Sequence, residues 1–128
     1  MILTQHEVNI LIRRVENVIP FINAVYIKDK TCKYAKRELS LYNKLLKKLK
    51  SSIDNIQFTE KELIKLYESN LRNYEMLHSI LKAITDRFES DERISNIKCD
   101  ISDCSILEVK FRIQLVGRFD FNMKFFEG

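Results

Sequence analysis

The spacing of apolar residues divides the chain into a long part with helical periodicity and a last part in which apolar and polar residues alternate. Two segments of the first part begin with the same signature, Thr4 followed by Glu7 and Thr59 followed by Glu62, each flanked by apolar residues. In this signature the threonine hydroxyl accepts from a backbone N–H three residues on, and the glutamate reaches back to the threonine N–H. Helices are therefore predicted to begin directly after both threonines.

The apolar stripe that follows the first signature predicts a helix over residues 5–18. Pro20 lacks an N–H and disfavours helical geometry in the residue before it, so this helix is expected to stop or bend there. Residues 21–26 are apolar enough to be buried. A sustained heptad pattern then predicts a second helix over residues 31–50, or from Pro20 onward if the proline occupies a first turn.

The third helical segment begins at Glu60 and has a wide apolar arc, which must be covered on more than one side. We expect it to lie between the second helix and a sheet. A short polar connection favours antiparallel packing of the second and third helices, with Leu46 beside Tyr67 and Tyr42 facing Asn70. The last pair is polar and could fix the register of the helical hairpin.

After Ser90 the apolar residues alternate with polar ones over residues 97–101, 107–115 and 119–125. This period of two predicts three strands of an antiparallel β-meander, with Phe111 paired to Met123. The predicted fold is α+β: an N-terminal helix plus a long antiparallel helical hairpin packed on a C-terminal three-stranded β-meander. A single domain is expected over residues 1–128, with residues 1–92 helical and residues 94–128 forming the meander.

The composition is that of a packed globule, since 45% of the residues are hydrophobic and 31% charged. No apolar run approaches the roughly 20 residues that cross a bilayer, and the N-terminus does not resemble a signal peptide, so no membrane association and a cytoplasmic location are expected. The odd number of cysteines, Cys32, Cys99 and Cys104, favours reduced thiols over a disulfide framework.

Residues for chemistry are sparse. The two glycines, Gly117 and Gly128, stand apart, which argues against a phosphate-binding loop, and nothing in the sequence pairs a nucleophile with His6 or His78. Cys99 and Cys104 lack the spacing of a zinc knuckle. They are interpreted as a buried thiol on the apolar face of a strand and a loop thiol. We expect no enzymatic activity and no catalytic, cofactor-binding or metal-binding residues.

The net charge of +4 is unevenly distributed, because nine basic residues and only two acidic ones lie between Lys28 and Lys50. Two basic surfaces are candidate sites for an anionic partner, although both could be merely solvated. The first is the face of the second helix with Lys33, Arg37, Lys44 and Lys47. The second is a row on the exposed face of the predicted sheet with Lys98, Lys110, Arg112 and Lys124.

These surfaces favour a small regulatory module that binds another protein, or a second copy of itself, through helix faces or the sheet edge. The edge strand is the candidate for a homodimer, because it would expose apolar residues on both faces, namely Phe119, Phe121, Phe125 and Phe126. The alternative is a nucleic-acid-binding protein that uses the basic face of the second helix or the lysine row of the sheet.

Overall fold

The computed structural model describes residues 1–51, 55–87 and 92–118. These residues form four helices, which are α1 (Gln5–Lys28), α2 (Lys33–Lys50), α3 (Glu60–Thr85) and α4 (Glu92–Arg118). Apart from one isolated bridge between Ile2 and Asn55, the described ranges contain no β-structure. The predicted α+β class is therefore wrong, and the described part of the chain is all α.

The segment that was expected to form the first two strands of the meander is the single helix α4. On a helix, residues two apart lie about 200° apart around the axis, and residues four apart lie about 40° apart. An alternating run therefore also describes a helix with two opposite apolar faces. The inner stripe of Ile97, Cys104, Leu107 and Phe111 continues through the expected loop at residues 102–106. The expected third strand lies outside the described residues.

Helix α1 continues through Pro20 to Lys28, so the predicted stop after residue 18 is wrong. Proline removes one helical hydrogen bond, the one that the carbonyl of Glu16 would accept. Both Glu16 and Pro20 are exposed, so water can reach this carbonyl. The proline is thus on the side of the helix where its cost is smallest.

Both predicted helix starts are confirmed. The N–H of Glu7 donates to Thr4 Oγ1 over 3.1 Å, and the N–H of Thr4 donates to Glu7 Oε1 over 2.8 Å. The same pair of bonds joins Thr59 and Glu62, at 3.3 and 2.7 Å. Because both glutamates are buried, these capping boxes hold carboxylates that would otherwise be costly to desolvate.

The chain separates into two compact units, Met1–Gln57 and Phe58–Gly128. Helix α1 packs on α2 in the first unit, and α3 packs on α4 in the second. The observed partner of α3 is thus a helix where a sheet was expected. The predicted packing of α2 on α3, with Tyr42 facing Asn70, would join the two units and stays a prediction, as does the single domain.

The first unit is closed at the ends of its helices. The N-terminal amino group of Met1 donates to the side chain of Asn55 and, over 3.0 Å, to the carbonyl of Ile56. The N–H of Ile56 donates back to the carbonyl of Met1 over 3.2 Å. The residues before α1 therefore contact those after α2, so the two helices run antiparallel. Their buried residues include Leu11, Val15, Ala35, Tyr42, Leu45 and Leu49.

The second unit has a polar contact inside its apolar core. The side-chain amide of Asn70, which is 1% exposed, donates to the carbonyl of Cys104 over 2.8 Å. Tyr67 lies one turn before Asn70 on α3 and interacts electrostatically with Glu108, which lies one turn after Cys104 on α4. The two helices are therefore antiparallel. Their buried residues include Leu63, Leu66, Tyr67, Cys104, Leu107, Phe111 and Leu115.

Candidate interaction surfaces

The basic face of α2, which we define as Lys33, Arg37, Lys44 and Lys47, is exposed. The residues are spaced by four, seven and three, so they share one side of the helix. Arg37 Nε also donates to the carbonyl of Lys33 over 3.4 Å. The structure thus brings together the four residues that the sequence placed on this face, and their role in binding stays a prediction.

The predicted lysine row on a sheet is wrong for the residues that the structure describes. Lys98, Lys110 and Arg112 lie on α4. Lys98 and Lys110 are twelve residues apart on that helix, and the rise between them is therefore about 18 Å. They cannot lie directly opposite each other, so the proposed repulsion that would call for an anion does not arise. Lys124 and the candidate dimer edge of Phe119, Phe121, Phe125 and Phe126 lie outside the described residues.

A surface that the sequence reasoning missed lies where α1 ends and α2 begins. Phe21 is 76% exposed and Ile27 is 64% exposed, and Val25 and Tyr34 are exposed as well. We call these four residues the hairpin tip. The expectation that residues 21–26 are buried is wrong, since Phe21, Ala24 and Val25 are exposed. The available signal was that the last turns of α1 are apolar around the whole helix, which a single packing partner cannot cover.

A short polar turn connects the two helices at the hairpin tip. Asp29 Oδ1 accepts from the N–H of Thr31 over 3.0 Å and from its hydroxyl over 2.5 Å. The carbonyl of Asp29 accepts from the N–H of Cys32 over 3.1 Å. The side-chain and backbone hydrogen bonds from Thr31 hold the pKa of Asp29 below its usual value. These hydrogen bonds define the short turn that connects the tip residues of α1 to Tyr34 on α2.

Helix α4 has two apolar faces. Its inner face, Cys104, Leu107, Phe111 and Leu115, is buried. Its outer face, which we define as Ile106, Val109 and Ile113, points the other way, and Ile113 is 63% exposed. These residues follow one another at spacings of three and four, so they share one side of the helix. Alternation in the sequence had placed Phe111 and Ile113 on one face, and the structure separates them.

Tyr67 is a buried residue of the second unit whose pKa is clearly displaced. Burial raises its pKa, the negative charge of Glu108 raises it further, and the positive charge of Arg112 lowers it. The phenol is therefore neutral at physiological pH. It acts as a packing residue of α3 with its polar end near the charged side of α4.

The cysteine and histidine positions differ in part from expectation. Cys99 is exposed and Cys104 is buried, the reverse of the predicted arrangement, because they lie on opposite sides of a helix. His78 is exposed and packs edge-on against Tyr74, with ring centroids 4.4 Å apart. Within the described ranges no three His, Cys, Asp or Glu side chains are grouped as metal ligands.

No family model, curated protein or solved structure matches this chain. Its functional assignment therefore depends on its own residues. None of the helices in the described ranges has a stretch both apolar and long enough to pass through a bilayer.

Proposed function

We propose that this chain is a regulatory module without catalytic activity, which binds another protein in the cytoplasm through exposed helix faces. The observation that supports this proposal is the hairpin tip, where Phe21, Val25, Ile27 and Tyr34 are each exposed. Phe21 and Val25 are four residues apart and share one side of α1, and exposed apolar patches with a polar rim are typical of protein interaction sites. Aromatic residues are enriched in the buried centre of such interfaces.

The charge around the hairpin tip favours an acidic partner segment with an apolar side. Lys28, Lys30 and Lys33 flank the tip and are exposed, and the basic face of α2 begins at Lys33. Such a surface would take apolar side chains of the partner at the tip and carboxylates along α2. Opposite charges would accelerate association and select against basic partners.

Affinity capture from cells that express the protein, after nuclease treatment, tests this proposal. We expect a protein to be captured by the native chain and lost with Val25→Lys, which puts a charge on the hairpin tip. Lys44→Glu with Lys47→Glu should weaken the capture through the basic face. A matched control is Met76→Lys, since Met76 is an exposed apolar residue on the other unit. Capture that is equal for the native chain and the Val25→Lys variant would overturn the proposal.

Nucleic-acid binding is the second candidate function. The basic face of α2 favours it, and the exposed Tyr34 beside Lys33 could stack on a base. Fluorescence anisotropy with labelled single-stranded and duplex DNA and RNA, at low and high salt, tests it. Binding that falls steeply with salt and is lost with Lys44→Glu and Lys47→Glu would support it. The absence of binding at low salt would remove it and leave the protein-binding proposal intact.

A further inference from the structure

The outer face of α4 has the spacing of a helix that packs against another helix. Ile106, Val109 and Ile113 are separated by three and four residues, and the pattern extends back to Ser102 and Cys99 and forward to Val116. This is the heptad pattern of coiled-coil positions. It lies on the side opposite to the face that packs on α3, so α4 can hold both partners at once.

We propose that this outer face binds a second copy of the chain, with the two α4 helices antiparallel about a two-fold axis. In this register Ile106 of one copy contacts Val109 of the second copy, and the two-fold axis repeats that contact. The inference names one partner for the kind of interaction module proposed above. It concerns a different surface from the hairpin tip.

The residue types favour the antiparallel arrangement. The three residues that define the outer face, Ile106, Val109 and Ile113, are all β-branched, whereas parallel two-stranded coils prefer leucine at one of the two core positions. The antiparallel register also places Asp103 of one copy beside Lys110 of the second copy. Because a two-fold axis makes every contact occur twice, this opposite-charge pair flanks Ile106 and Val109 on both copies. The surface is thus complementary to itself in charge.

The seam is short, so the dimer should be weak. From Cys99 to Val116 the helix rises by about 26 Å, which is near the lower limit for a stable pair of helices. We expect a dissociation constant on the order of micromolar, and therefore a monomer–dimer equilibrium that shifts with concentration.

Sedimentation velocity of the full chain over roughly 1–500 µM tests the dimer. We expect the native chain to become dimeric with increasing concentration and Ile113→Lys to stay monomeric. Met76→Lys is the matched control, because Met76 is also an exposed apolar residue but lies on α3. It should dimerise like the native chain. Helical circular dichroism shows that each variant is folded.

Two results would overturn the dimer. One is a native chain that stays monomeric at every concentration. If Ile113→Lys then also lowers the stability of the chain, the outer face packs within the chain. The other is dimerisation of Ile113→Lys equal to that of the native chain. Neither result bears on the hairpin tip, so the capture experiment still decides the proposed function.

Charge reversal tests the antiparallel register. Asp103→Lys and Lys110→Asp should each weaken the dimer about tenfold, since each puts like charges side by side. The double variant exchanges the two charges and should restore the affinity to within about threefold of the native value. A parallel dimer would pair Asp103 with Lys98, and the double variant would then stay as weak as Asp103→Lys. That outcome would overturn the antiparallel arrangement.

Discussion

In the first unit four exposed apolar residues lie near the turn between α1 and α2, whereas in the second unit three lie along one side of α4. Both units begin their first helix with the same capping box, and both bury an apolar stripe between two helices. The two units differ in where they have more apolar surface than one partner helix can cover. Exposed apolar residues at the end of a hairpin favour contact with the end of a partner. Exposed apolar residues along a helix favour packing against a second helix.

The largest expected effect is a difference in stability between variants on the two faces of α4. Phe111→Ala should lower the free energy of unfolding by about 3–5 kcal/mol, because the ring is fully buried and its removal leaves a cavity. Ile113→Ala, two residues on, should change it by less than about 0.5 kcal/mol at low protein concentration, where the chain is monomeric. Urea unfolding followed by helical circular dichroism measures both. Equal losses would mean that the residues share a face, as in the strand.

The polar contact of the second unit comes next. Asn70→Ala removes the bond to the Cys104 carbonyl and leaves a small cavity, so we expect a loss of about 2 kcal/mol. Asn73→Ala is the matched control on the same helix, since Asn73 Nδ2 donates only within α3, to the carbonyl of Ser69 over 2.9 Å. If both variants lose equal stability, the Asn70 contact contributes no more than a local bond.

The two capping boxes allow a direct comparison between the units. Thr4→Ala and Thr59→Ala should each cost about 1 kcal/mol, because each leaves a first-turn N–H without its side-chain acceptor. Serine at the same positions keeps the hydroxyl and should restore most of the loss. Urea unfolding of the four variants gives the values. A cost confined to one unit would show that only that helix start limits the stability of the fold.

The smallest effect concerns pH. The raised pKa of Tyr67 means that the unfolded chain loses the phenol proton near pH 10, while the folded chain still holds it. Its contribution to stability is therefore complete below about pH 10 and declines as the pH rises further. Phenolate absorbance, compared with Tyr67→Phe, follows the titration. Glu108→Gln should lower this pKa and Arg112→Gln should raise it, and identical midpoints would contradict the proposed charges.

The sequence predicted the local features of the helical part well. Thr4 and Thr59 cap helices because a capping box depends only on residues three apart, and α2 ends at Lys50 as expected. The solvent-facing position of Lys33, Arg37, Lys44 and Lys47 followed from the helical period alone. None of these features requires knowledge of distant contacts.

The errors lie where one sequence pattern fits two structures. Leu107, Val109, Phe111, Ile113 and Leu115 alternate as in a strand, yet also form two opposite stripes of a helix. A helix with an exposed apolar face looks unfavourable until a partner for that face is considered. The prediction at Pro20 was wrong for a related reason. The energetic cost of a proline inside a helix depends on whether solvent reaches the carbonyl that loses its hydrogen bond, which here is that of Glu16.

By itself the sequence determined where α1 and α3 begin and which basic residues of α2 face water. Only the tertiary structure decided that α4 is a helix, that α1 pairs with α2 and α3 with α4, and that Phe21 and Ile113 are exposed. The physical reason is the distance along the chain over which each feature is determined. Caps and helical faces follow from bonds within one turn, whereas burial is set by apolar surfaces that meet across many residues of chain.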